Sequence, residues 1–163
     1  MAIRDSEFER LYGEHAQAVF RFLMYRTGDR WLSEDLLADT FEKVLRSRRP
    51  LPLVTSEKAW LYTIALNCVR DKARRAGVER VALERIVAEH EPREESAVLD
   101  TIGDRDEIQQ ALGDLSEEER EAIALRFGAD LSVPEIARAL GVALTTAEGR
   151  VYRGLRRLRA LLG

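Results

Sequence analysis

The stretch from Leu131 to Leu162, LSVPEIARALGVALTTAEGRVYRGLRRLRALL, leaves room for little except two short helices joined by a tight turn. Ser132 followed three residues later by Glu135 is the reciprocal capping pattern that opens a helix, and Pro134 sits early, where a missing N–H does no harm. The first helix is expected from Val133 to Leu140. Gly141 supplies the permissive backbone that ends it, and Thr145 with Glu148 repeats the capping pattern for the second helix. At about 100° per residue, Leu144, Ala147, Val151, Leu155, Leu158 and Leu162 fall on one stripe that must face protein. The opposite face holds Thr145, Thr146, Gly149, Arg153 and Arg156, with Arg150 and Arg157 on one flank and Tyr152 on the other.

Two helices of this shape form a helix-turn-helix, whose second helix fits a DNA major groove. Arginines near a helix C-terminus also complement the helix dipole and stay solvated, so residue types alone leave two readings. Five arginines and no acid lie between Arg150 and Arg159 on a chain of net charge −3, and that asymmetry favours DNA.

Charge also divides the chain. Of its 163 residues, 1–76 carry a net +3, 77–107 a net −6, and 108–163 none. An acidic middle between a basic front and an arginine-tipped end predicts two small modules and a linker. The expected units are residues 1–76, an acidic linker over 77–103, and a helix-turn-helix module over 104–163.

Helical periodicity dominates, and nothing alternates like a strand, so the predicted fold class is all-α. Helices are expected over 6–27, 31–47 and 56–76, with Pro50 and Pro52 forcing a loop between the last two. A helical stub is expected over 78–88. After the linker come a short helix from Asp104 to Leu112 and another capped by Ser116 and Glu119 that ends near Phe127. Within WLYTIALNCVRDKARR, residues Trp60, Leu61, Ile64, Ala65, Cys68 and Val69 form the apolar stripe. Thr63, Asn67, Arg70 and Arg74 line up on the far side, a strip of hydrogen-bonding and cationic groups that suits phosphates and base edges, and equally suits water.

Chemistry-bearing signals are sparse. Cys68 falls within apolar helical spacing and reads as a small buried hydrophobe. His15 and His90 have no second ligand at metal spacing, and no P-loop, GxGxxG, GxSxG or HExxH occurs, so no enzyme activity, metal or cofactor is expected. No run of about 18 apolar residues exists, which predicts a soluble, cytoplasmic protein without membrane insertion.

The ordered segments Phe8 to Tyr12, Ser33 to Phe41 and Trp60 to Asn67 with Asp71 and Arg74-Arg75 resemble region 2 of the sigma-70 family. Leu115 to Arg126, Leu131 to Gly141 and Thr146 to Leu162 resemble region 4. Together they resemble an extracytoplasmic-function sigma factor, which keeps only those two regions. The resemblance implies a three-helix region-2 bundle and a four-helix region-4 domain. It further implies a protein that binds core RNA polymerase, on the clamp of the largest subunit and the flap of the second, and directs promoter recognition, melting and initiation. Asp35, Leu36, Asp39 and Phe41 would meet the polymerase, with Leu36 and Leu37 as the apolar anchor. Thr63, Asn67, Arg70, Arg74 and Arg75 would hold the unwound strand at the minus-10 element, with the loop from Arg48 to Glu57 as pocket wall. Thr145, Thr146, Gly149, Arg150, Arg153 and Arg156 would read the minus-35 duplex. An anti-sigma factor is the further implied partner.

The chain departs from the family pattern at Glu148, where a lysine is usual, and at Ala38, where glutamine is frequent. Those departures favour a second reading, a sigma-like decoy that sequesters an anti-sigma factor without binding DNA. The linker leaves the two halves able either to close on each other, hiding both DNA-facing surfaces, or to spread over the polymerase.

Overall fold

The computed structural model describes residues 5–47, 56–78 and 104–163. Most of the acidic linker, His90, all but Val78 of the stub expected over 78–88, and most of the loop before Glu57 lie outside the described residues. Among the described residues every regular element is helical: α1 (Asp5–Thr27), α2 (Arg30–Arg46), α3 (Glu57–Val78), α4 (Asp104–Gly113), α5 (Glu117–Ile123) running into a π-helical turn (Ala124–Gly128), α6 (Val133–Leu140) and α7 (Leu144–Leu162).

Local chemistry sets most boundaries. Gly28, at φ 70°, ends α1 in the left-handed region that a side chain would disfavour, and the Asp29 carboxylate accepts from Leu32 N–H at 3.1 Å to start α2. Ser116 with Glu119, and Ser132 with Glu135, each form a complete capping box, and Gly141 at φ 68° closes α6. The start of α7 departs from expectation. Ala143 is the cap residue and makes no side-chain bond, so the capping role expected of Thr145 and Glu148 is corrected. The helix begins one residue before Thr145, which places that threonine inside the first turn and leaves both side chains exposed.

The apolar faces of α1, α2 and α3 close on Leu11, Phe22, Leu23, Leu36, Val44, Leu61, Tyr62 and Leu66, all at most 1% exposed. This cluster does not stop at the end of the first half. It continues without a break into Leu125, Leu131, Ile136, Ala147 and Val151, because α1 lies on the π-helical turn and α3 lies on α6. Of the two arrangements open to the linker, the halves close on each other, but without hiding both DNA-facing surfaces: the outer face of α7 stays exposed. A smaller cluster of Leu112, Leu115 and Ile123 holds α4 and α5 against α7. There α7 is admitted by Gly154, where a Cβ would fall 2.6 Å from the Ile123 side chain. The stripe expected on α7 is correspondingly shorter: Ala147 and Val151 are buried and Leu155 and Leu158 half-buried, whereas Leu144 and Leu162 project beyond the bundle and are exposed.

Candidate nucleic-acid interface

Helix α7 turns Thr145, Thr146, Arg153 and Arg156 outward, all exposed. Gly149 lies half-buried among them, with the Arg153 guanidinium folded over it: a Cβ added there would come 3.0 Å from Arg153 Nη1. Arg150 is set apart, because its side chain is only 16% exposed and its guanidinium stands 3.7 Å from Glu118 on α5. Arg157, on the flank, pairs with Glu119 at 3.2 Å. The acidic first turn of α5 thus complements its own helix dipole and also neutralises one side of α7.

The strip on α3 is divided between solvent and the opposite half of the molecule. Thr63 is half-buried, and its single hydroxyl proton is shared between Ala59 O at 2.7 Å and Ala139 O of α6 at 3.1 Å. Asn67 is exposed along a cleft it shares with Arg70 and Arg74. Arg70 donates to the buried Glu121 carboxylate at 3.3 Å, and Arg74 pairs with Asp71 one turn earlier. Lys43 of α2 and Arg74 together hold the Asp71 carboxyl below the usual carboxylate range, with the Lys43 hydrogen bond the larger cause. Arg75 is exposed.

On α2, Asp35 and Asp39 are exposed on the outer face, whereas Leu36 is 1% and Phe41 4% exposed. Phe41 lies edge-on to Phe8 and Tyr12, with ring centroids 6.1 and 4.9 Å away. Leu36 and Phe41 therefore fix the helix from behind, Leu37 lines a cleft against Tyr12 and Ala16 of α1, and the exposed large apolar side chains of α2 are Trp31 and Leu45. Trp60 is half-buried against the core, and Cys68 is a buried free thiol.

Glu14, His15 and Glu57 bring one oxygen or nitrogen each within 4.8 Å of one another, a grouping the sequence spacing does not disclose. Arg10 already bonds both carboxylates, so a cation occupies the position a metal would need. Two other residues escaped the sequence reading, Arg26 and Glu121. Each looks like an ordinary helix-surface charge in the sequence, and only the packing of α5 against α1 and α3 buries them together.

Two family models match the chain, Sigma-70 region 2 over residues 11–78 and Sigma-70 region 4 over residues 105–158. It is 34% identical over 163 residues to RNA polymerase sigma factor CarQ of Myxococcus xanthus, an alignment covering 96% of this chain and 89% of CarQ. It is also 35% identical over 162 residues to ECF RNA polymerase sigma factor BldN of Streptomyces coelicolor. The chain belongs to the extracytoplasmic-function (ECF) class of the sigma-70 family. The BldN alignment covers 95% of this sigma-family chain but 60% of BldN, so the chain spans less than two thirds of that relative's length. Among solved structures, sigma factor RpoE in complex with the anti-sigma factor NepR from Bartonella quintana matches with a TM-score of 0.72 at 26% identity, over 96% of this chain and 97% of that one. Among the described residues of this ECF-class chain, no helix is long and apolar enough to cross a membrane.

Proposed function

We propose that this chain is a non-enzymatic specificity subunit of cytoplasmic RNA polymerase that binds the core enzyme, recognises a promoter and directs its melting. The observation that carries the reading is the outward face of α7, where Thr145, Thr146, Arg153 and Arg156 stand exposed on a helix anchored by Ala147, Val151 and Gly154. A rigid helix of that kind presents hydroxyls and guanidinium forks to base edges and phosphates. Asn67, Arg70, Arg74 and Arg75 on α3 supply the cationic groove for the parted strand, and Asp35 and Asp39 on α2 supply the polymerase contact. The family resemblance and the RpoE relative, solved with NepR, support an anti-sigma factor as a further partner.

The decoy reading has one observation in its favour. Glu148 is exposed just past the first turn of α7 with no capping bond to hold it, so its charge stands where phosphates would approach. Run-off transcription with purified core polymerase separates the two. An initiator gives promoter-dependent transcripts that fall by about tenfold in Arg153→Ala, the loss of one good base contact. A chain that captures an anti-sigma domain but never associates with core enzyme is the decoy.

A further inference from the structure

A carboxylate on a helix that holds a polyanion works against that purpose unless another charge offsets it. Asp71 is such a group: it stands on α3 between Asn67 and Arg74 with 40% of its side chain exposed. Its two oxygens are divided between two cations. Oδ2 accepts from Lys43 Nζ of α2 at 3.3 Å, and Oδ1 accepts from Nη2 of Arg74, three residues further along the same helix. Arg74 keeps 78% of its side chain in solvent. A guanidinium has five N–H donors, so a carboxylate on Nη2 leaves others for a strand. Burial works against the charge on Lys43, but Cys68 and Asp71 beside it outweigh that and hold its pKa above the ordinary value. The ammonium is therefore charged at neutral pH.

We propose that Asp71 and Lys43 are positioning residues for Arg74: Asp71 fixes the direction of the guanidinium, and Lys43 cancels the charge that Asp71 sets against a phosphate. This rests on the reading of α3 as the strand-holding helix. An arginine gives up rotamer freedom when it binds, and a guanidinium already held in place gives up less. Two cations and one anion leave the trio one positive charge. Without Lys43, Asp71 and Arg74 sum to zero, and the strand meets a neutral pair. Lys43 thus governs the hold on a strand from a neighbouring helix, without touching it. Its ion pair is not there to hold α2 on α3, because the buried core already packs those helices and half-exposed pairs add little to it.

The test uses the full chain assembled with core RNA polymerase, core enzyme alone as the blank, and a fluorescent single-stranded oligonucleotide of about 12 nucleotides followed by anisotropy. Its sequence is mixed, because phosphate contacts are indifferent to base. Arg74→Ala is expected to weaken binding about tenfold, and no loss there overturns the strand-holding reading and the proposal together. Lys43→Met is expected to weaken binding about threefold, with Lys43→Arg restoring it and the melting temperature of the free chain within about 2 °C of wild type in both. In an Asp71→Asn background the same Lys43→Met change is expected to cost nothing, since no carboxylate is left to cancel. An equal loss in both backgrounds means that Lys43 touches the strand itself, and overturns the proposal. Wild-type affinity in Lys43→Met beside weak binding in Arg74→Ala also overturns it, and leaves the strand-holding reading standing. A chain that does not assemble with core enzyme is titrated alone through the same series, and the same outcomes decide.

Discussion

Gly128, at the end of the π-helical turn, lies against the backbone of Phe22 on α1: a Cβ built on it would sit 3.0 Å from Phe22 Cα and 3.2 Å from Phe22 N. Backbone cannot yield as a side-chain tip can, so the absence of a Cβ at this one position lets the two halves meet. Gly128→Val is therefore expected to cost about 1–3 kcal/mol and to part α1 from the π-helical turn, while the helices themselves persist. Small-angle scattering with far-UV circular dichroism checks it. The outcome should be a larger radius of gyration at nearly constant helical signal.

The helix-turn-helix owes the start of α6 to a box in which Ser132 Oγ accepts from Glu135 N–H at 3.3 Å and Glu135 Oε1 accepts from Ser132 N–H at 3.0 Å. Ser132→Ala removes the first bond, for an expected loss of about 1 kcal/mol in denaturant unfolding. Burial works against ionisation of Glu135, but its bonds to Ser132 outweigh that and hold its carboxyl below the ordinary value.

His15 gives the fold a pH dependence near neutrality. Burial, the largest cause, pushes its pKa below 6.5 against the opposing pull of Glu14 and Glu57, with Lys58 and Arg10 adding to the depression. The unfolded chain then binds more protons at this site than the folded one, so its contribution is complete above the unfolded value and is lost as the pH falls. Melting temperature should drop between pH 7.5 and 5.5, and His15→Gln should flatten that part of the profile. Glu57 and Asp71, both depressed by cationic partners, titrate at lower pH and fall outside this window.

Glu148 stands exposed just past the first turn of α7, with no capping bond to hold it. Glu148→Lys replaces a charge that repels phosphate with one that attracts it, and duplex promoter DNA should bind about tenfold tighter at low salt. The gain should shrink as salt rises, and the log–log salt slope should steepen by about one to two charges. A salt-independent gain would mean that the lysine acts through base contacts.

Much of this was open to inspection in the sequence. The capping boxes at Ser116 and Ser132, the left-handed stop at Gly141 and the outward placement of Thr145, Thr146, Arg153 and Arg156 follow from spacing within ten or so residues, where helix geometry alone decides. The start of α7 did not follow, since Thr145 and Glu148 have the spacing of a capping pair but the chain enters the helix earlier, at Leu144. Leu36 and Phe41, which the resemblance put at the polymerase, are buried in the core, because the stripe they share with Thr40 and Val44 is the face of α2 that packs on α1 and α3.

Periodicity, caps and charge distribution by themselves determined an all-helical chain with a helix-turn-helix at one end and a polar strip on α3, since each of these properties is written within a single helix. Only tertiary structure decided that the halves close, that Gly128 sits under Phe22, and that Glu121 lies buried between Arg26 and Arg70. Those relations join residues that are far apart in the chain, and whether a charged side chain faces water or another helix depends on surfaces that exist only once the helices have packed.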